Sequence, residues 1–369
     1  MDTNGYSTWL EIDLGALDNN YKELTRICKT PVLAVIKANA YGHGLEKVAQ
    51  AIKKAGGNWL GVARFEEGAM LRAAWIENDA LVMGYTLPDQ APQAARDNLR
   101  LTVYDADTVS EYSQRVYAQG LTLKIHVKVD TGMNRIGIRP NETVEFLRWL
   151  KTLPGIEVEG LFTHFARADE PEQGTTEGQI QIFDDVLSAV DTAGLRPTWV
   201  HASNSAGALN FTQGRYNMIR SGIALFGMQP SPETVLPDAF RPVLSWKTRL
   251  IMVKRVTPGS GISYGHRYVT TKNEMIGTIP VGYADGFRRV PGNVVLVRGV
   301  AVPVVGVVCM DQAMLQLDAV PDAHIGDEVV IIGSQGETTR SADQLAEHWG
   351  TINYEVVCGL SSRLPRLYF

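Results

Sequence analysis

A lysine set between an apolar run and a glycine-rich loop is the group in this chain best placed to do chemistry. Ala34-Val35-Ile36-Lys37-Ala38-Asn39-Ala40-Tyr41-Gly42-His43-Gly44 reads as a buried strand that ends in two glycines around a histidine. A primary amine delivered by a strand end can condense with an aldehyde cofactor. In a partly dry pocket its pKa falls, so it can act as imine former and base. The glycines let the loop approach a phosphate closely, and Tyr41 either donates its hydroxyl to that phosphate or simply packs. An isolated lysine is usually a surface residue, but the flanking strand and glycines weigh against that for Lys37. His43 reads as a local hydrogen-bonding residue.

Further groups follow other apolar runs. Lys128-Val129-Asp130-Thr131-Gly132-Met133-Asn134-Arg135 offers a planar guanidinium, Arg135, that could hold a carboxylate. The plain alternative is that Lys128 and Asp130 pair with each other or with Arg135. His164 in Thr163-His164-Phe165 is either structural or orients something charged. His201-Ala202-Ser203-Asn204-Ser205-Ala206-Gly207 could bind phosphate through Ser205 and backbone N–H groups, although any serine-rich helix cap looks the same. Arg220 closes the short strand Met218-Ile219-Arg220, with the N–H groups of Gly222 and Ile223 beside it. Its plain alternative is an intradomain salt bridge. Further on, Tyr264, Tyr283 and Met310-Asp311 lie in Ser263-Tyr264-Gly265, Gly282-Tyr283-Ala284-Asp285-Gly286 and Cys309-Met310-Asp311-Gln312. Tyrosine next to glycine either faces a cleft or packs a turn.

The elements that must position these groups alternate between strand and helix. Strands are expected at Val32–Ile36, Trp59–Val62, Leu81–Met83, Leu101–Tyr104, Lys124–Val129, Val158–Phe162, Pro197–His201 and Met218–Arg220. Helices are expected near 44–55, 66–74, 106–119, 142–152 and 177–193, where apolar residues recur every three to four positions. About eight strand–helix units predict an α/β fold with an N-terminal (β/α)8 TIM-type barrel, whose chemistry lies at the C-terminal strand ends. A doubly wound sheet is the competing architecture. The texture changes at Ser231-Pro232-Glu233. Beyond it, β-rich runs separated by Gly and Pro (Leu244–Val256, Asn273–Pro280, Val294–Val300, Val302–Val307, Met314–Leu317, Glu328–Ile332) predict a C-terminal, mostly-β domain. The expected boundaries are 9–230 and 231–369, with residues 1–8 contributing a strand. Ser341 and Gln344 form the capping box of a helix at 341–348.

Composition narrows the classes. The 369 residues are 45% hydrophobic, ample for a sizeable core. A formal charge of -5 gives no case for nucleic acid as partner. The N-terminus does not read as a signal peptide and no apolar run approaches a membrane span, so a cytoplasmic location is expected. Three widely spaced cysteines, Cys28, Cys309 and Cys358, argue against a disulfide framework or a cysteine-based zinc site, and no metal is expected.

In order, AVIKANAYGHG, KVDTGMNRIG, HASNSAG, NMIRSGI, SYG, GYADG, CMDQ and TINYEVVC resemble the alanine racemases, pyridoxal-phosphate enzymes of fold type III. The resemblance runs from about Trp9 to Tyr368. It implies the same two-domain plan and a head-to-tail homodimer with shared active sites. It implies pyridoxal 5'-phosphate carried on Lys37, with Tyr41, Ser205, Gly222, Ile223 and Tyr354 around its phosphate. Arg220 would meet the ring nitrogen with His164 behind it, and Arg135 the substrate carboxylate and the ring hydroxyl. Tyr264 and Met310 would enter from the partner subunit with Asp311 alongside, and Tyr283 would lie near the catalytic groups. Lys128 matches a position that is carbamylated in some members. The implied reaction interconverts L-alanine and D-alanine by two bases, Lys37 acting on the D-enantiomer and Tyr264 on the L-enantiomer. With a reference pKa of about 10, Tyr264 needs positive charge nearby to act as a base. The cellular expectation is D-alanine for peptidoglycan. Two positions depart from the family pattern: Val307, where Arg is frequent, and Ser362, where Tyr is frequent. The rivals are a broad-specificity or serine racemase, a decarboxylase of the same fold and a non-catalytic PLP-binding protein.

Overall fold

The computed structural model describes residues 5–369. Residues 1–4, half of the N-terminal stretch expected to contribute a strand, lie outside the described residues. The chain forms two compact units. One comprises Leu17–Ala40 and Gly44–Arg241, and the other comprises the N-terminal segment to Ala16, Tyr41–His43 and Pro242–Phe369.

In the first unit, eight parallel strands form one sheet. Their order is Trp199–His201, Ile156–Phe162, Leu123–Lys128, Leu99–Val103, Asp79–Val82, Trp59–Val62, Val32–Val35 and Ile219–Ser221. A parallel bridge between His201 and Met218 brings the two edges together, so the sheet is a nearly closed barrel and not a doubly wound layer. The strands Val32–Val35 and Trp59–Val62 read as continuous apolar runs because both faces are covered. Val32, Leu33, Ala34 and Val35 are all buried. The outer helices are amphipathic. Leu45–Lys54 buries Leu45, Val48, Ala49 and Ile52, a single stripe at helical spacing. Each fully buried Leu, Ile or Val contributes roughly 1.5–3 kcal/mol, so truncating Ile52 to Ala would cost about 2–5 kcal/mol.

The second unit is built on a long sheet. Its strands run in the order Met252–Val256, Glu274–Ile279, Ala313–Gln316, Val300–Val305, Val294–Val297, Glu328–Gln335, Leu244–Arg249, Thr8–Ile12 and Arg366–Tyr368. The single run expected over Leu244–Val256 is two strands. Between them the chain changes neighbours: Leu250 N–H donates to Asp327 O and Ile251 N–H to Thr278 O. Thr8–Ile12 pairs antiparallel with Leu244–Arg249, with Trp9 opposite Lys247. Trp246, Phe287 and Trp349 stack edge-on at 5.9 and 6.1 Å to fill the core. The capping box forms as expected: Gln344 N–H donates to Ser341 Oγ at 3.1 Å and Ser341 N–H to Gln344 Oε1 at 3.0 Å.

Candidate active site

Lys37 follows the strand Val32–Val35 at its C-terminal end and is half-buried. The backbone after it is unusual. Ala38, Asn39 and Ala40 have φ of 53, 55 and 54°, and Tyr41 has φ 53°. This is a left-handed turn made without glycine, in a region costing L-residues roughly 1–2 kcal/mol each. Hydrogen bonds hold it. Ala38 N–H donates to Glu67 Oε1 at 2.6 Å, and Glu67 Oε2 accepts from Ala63 N–H at 2.8 Å. Asn39 accepts on its backbone oxygen from Gly44 N–H at 2.9 Å and on its Oδ1 from Leu45 N–H at 2.8 Å. Glu67 therefore ties the lysine turn to the end of the next strand.

Other candidates gather at the same end of the barrel. Ser205 begins a short helix after the strand Trp199–His201. Its Oγ accepts from Gly222 N–H at 3.0 Å and lies 3.2 Å from Ser221 Oγ, with Ala224 N–H at 3.5 Å. Ser205, Ser221 and Gly222 thus form one buried hydrogen-bonded cluster, with Ile223 next along the chain and also buried. Arg220, in the adjoining strand, is buried. Its Nη1 donates to His201 Nδ1 at 2.6 Å, and its Nη2 lies 3.0 Å from His164 Nδ1, 2.8 Å from Thr163 O and 2.6 Å from Ala202 O. No carboxylate among the described residues pairs with Arg220, so the salt-bridge alternative fails. Nor does its Nε–H donate to any described residue. Burial, with Arg135 adding repulsion, pulls Arg220 down to about 9, which leaves it cationic at neutral pH. Burial and the neighbouring Arg220 hold His164 well below the usual imidazole value, hence neutral.

Lys128 ends the strand Leu123–Lys128 and is buried, with Nζ donating to Val129 O at 2.7 Å. Burial first and Arg220 second lower it to about 7. It forms no ion pair with Asp130. The Asp130 carboxylate instead accepts the N–H groups of Gly132, Met133 and Asn134, each at 3.0 Å. That clamp shapes the loop that carries Arg135, which is exposed and makes no hydrogen bond or ion pair with a described residue.

In the other unit, Tyr41 and Tyr354 face each other with ring centroids 6.1 Å apart. Burial, reinforced by Tyr354, holds the Tyr41 hydroxyl above its usual value, so it is a proton donor and not a phenolate. Tyr264 is 70% exposed and Met310 54%. Tyr264 sits in a tight turn between Ser263 (φ 64°) and Gly265 (φ 68°). Ser263 Oγ donates to Val307 O at 2.6 Å and anchors that turn, so the departure at Val307 leaves a backbone contact in use. Tyr283 N–H donates to Cys309 O at 3.1 Å and Ala284 N–H to Met310 O at 3.0 Å. Arg363, which was not singled out from the sequence, bridges Asp285 at 2.7 Å and Asp311 at 2.8 Å. Tyr283, Met310 and Asp311 thus share one cluster.

Two family models match this chain, the alanine racemase N-terminal domain over residues 12–230 and the alanine racemase C-terminal domain over residues 243–368. The chain belongs to the alanine racemase family. It is 45% identical to an alanine racemase of Symbiobacterium thermophilum, covering 100% of this chain and 99% of that protein. It is 41% identical to one of Geobacillus stearothermophilus, over 98% and 93%. Among solved structures, the alanine racemase of Bacillus anthracis with bound L-Ala-P superposes with a TM-score of 0.93 at 40% identity, over 98% of this chain and 95% of that one.

Three polar residues inside the barrel are not marked by the sequence, His126, Glu159 and Arg100, and His201 is marked only as the start of the HASNSAG stretch. His126 Nδ1 lies 2.9 Å from His201 Nε2, and Arg100 pairs with Glu159 at 2.8 Å. One signal was available, the polar alternation Lys124, His126, Lys128 along a strand that should face an apolar interior. No helix among the described residues is long and apolar enough to cross a membrane.

Proposed function

We propose that this alanine racemase works through pyridoxal 5'-phosphate held on Lys37, as a homodimer whose sites are completed by Tyr264 of the partner subunit. The enzyme interconverts L-alanine and D-alanine. The observation that carries the cofactor reading is the arrival of Lys37, Arg220, Ser205 and Gly222 at the C-terminal strand ends of one barrel, where this fold does its chemistry. The donor set suits the group. The Ser205 hydroxyl and the Ile223 N–H would take the phosphate, joined by the Gly222 N–H once it turns from Ser205 Oγ, with Tyr41 and Tyr354 completing the surroundings. The uncommitted N–H of Arg220 would face the ring nitrogen, with His164 behind it. When bound, the cofactor supplies an electron-accepting ring conjugated to the amino acid Cα, which makes the Cα–H acidic enough to remove.

The chain's own groups do the rest. The Lys37 amine takes the α-proton from D-alanine on one face and returns it to make D-alanine in the reverse direction. Tyr264 does the same for L-alanine on the other face. Arg135 holds the substrate carboxylate through its planar fork, and Met310 lines the substrate site with Asp311 and Tyr283 in support. Lys128, part neutral near pH 7, is in the form that reacts with carbon dioxide, and a carbamate there would position Arg135. Tyr354 keeps the pocket methyl-sized, favouring alanine over serine or lysine by about 1–3 kcal/mol per methylene-scale difference. The product would supply peptidoglycan from the cytoplasm.

Mixing inactive Lys37→Ala protein with Tyr264→Phe protein tests this. Subunit exchange should regenerate one intact site per hybrid dimer and restore racemisation. No recovery, with exchange verified by mass tags, would refute a shared site.

A further inference from the structure

The floor of the barrel holds charge where this fold normally stacks branched apolar side chains. Arg100, Glu159, His126 and His201 are buried on four adjacent strands and bond to one another across them. Glu159 is there because of a fault in the sheet. Ile125 pairs with Val158 but His126 pairs with Gly160, so Glu159 is an extra residue in its strand. Such bulges re-aim a side chain. The next residue, Gly160, makes room, since a Cβ there would lie 2.4 Å from His126 Nδ1.

The bonds run one way. Arginine only donates, so His201 Nδ1 must accept from Arg220 Nη1 at 2.6 Å. The neutral His201 ring then carries its proton on Nε2 and donates it to His126 Nδ1 at 2.9 Å. His126 in turn carries its proton on Nε2, 3.4 Å from Glu159 Oε2. Arg100 and Lys124 keep Glu159 ionised, at 2.8 and 3.2 Å. Burial holds both imidazoles below their usual value, in keeping with neutral rings. A protonated His201 would set N–H against N–H. Stability does not explain this arrangement, because a buried ion pair is commonly replaced by apolar side chains at no loss.

We propose that Glu159, His126 and His201 are positioning residues, a polarised hydrogen-bond chain that fixes the orientation of the Arg220 guanidinium and supplies its distant counter-charge. Resting on the cofactor reading above, this makes the field at the cofactor's ring nitrogen depend on a carboxylate two imidazoles away. Chains of this kind polarise one another along their length.

The test uses the full-length chain labelled with 15N-histidine. In wild-type protein, with or without cofactor, NMR should show His126 and His201 as neutral Nε2–H tautomers with a coupling across the His201 N–H to His126 Nδ1 bond. A charged ring or an Nδ1–H tautomer at either position overturns the proposal without any variant. Glu159→Gln and His126→Leu, the latter leaving no charge stranded, should each lower kcat about tenfold with KM within twofold. Each should also shift the visible absorbance maximum of the bound cofactor. The double variant should fall no lower than the worse single one, because the residues act as a unit. Wild-type kcat per bound cofactor and an unshifted spectrum in either folded variant would overturn it. A wild-type protein that leaves alanine untouched is the separate failure of the functional reading and is seen first.

Discussion

Replacing Gly282 with alanine should damage the Tyr283–Met310 cluster out of proportion to one methyl group. Gly282 has extended backbone angles that any residue adopts, so the cost is one of space. An alanine Cβ would sit 2.2 Å from Met310 O and 2.3 Å from Cys309 O, both main-chain atoms. Ordinary contact needs more than about 1 Å of extra separation. Opening the gap breaks the Tyr283 N–H to Cys309 O and Ala284 N–H to Met310 O bonds, at 3.1 and 3.0 Å. Each is worth about 1 kcal/mol net, and overpacking adds about 1–3 kcal/mol, so the total is roughly 3–5 kcal/mol. The denaturant midpoint of the C-terminal unit, followed by tryptophan fluorescence, reports the loss. KM for alanine should rise with it, because Met310 and Tyr283 move together. A Gly282→Ala protein within about 0.5 kcal/mol of wild type and with unchanged KM would refute this reasoning.

Tyr264→Phe should leave stability within about 0.5 kcal/mol, since its hydroxyl bonds to no described residue. It should slow exchange of the α-proton of L-alanine by about 10²–10⁴-fold, measured in D2O by mass spectrometry. Lys128 gives a pH signature in carbon-dioxide-free buffer. Its folded value of about 7 lies below the 10.5 of the unfolded chain, so the unfolded state binds the proton more tightly between these values. Wild type should therefore lose stability relative to Lys128→Met as pH falls from about 10.5 to about 7, with a constant gap below, read from chemical denaturation. Arg135→Gln should raise KM for alanine more than it lowers Tm, because the side chain is exposed and bonded to nothing described.

The positions of Lys37 and Arg220 at barrel strands were legible because the apolar runs before them mark those strands. That Ser205 and Gly222 meet was not, since they lie in separate stretches, each with a plain alternative, and are joined by a 3.0 Å hydrogen bond. The left-handed turn at Ala38–Tyr41 was not legible, because no glycine marks it and tertiary bonds from Glu67 and Leu45 impose it. Nor was the inward position of Glu159, since a bulge exists only relative to the partner strand. The run Leu244–Val256 looked continuous because no Gly or Pro interrupts it. The change of neighbour at Leu250 is a long-range event. Arg363 was passed over for want of local context. Its partners Asp285 and Asp311 lie far away in sequence.

The most direct test of the account follows enantiomer composition by chiral chromatography, with L-alanine and purified protein loaded with pyridoxal 5'-phosphate. Wild type should convert L-alanine to equal amounts of L- and D-alanine, and Lys37→Ala should convert none. Folded protein that binds the cofactor and leaves L-alanine unchanged, or a Lys37→Ala variant that racemises at the wild-type rate, would contradict it.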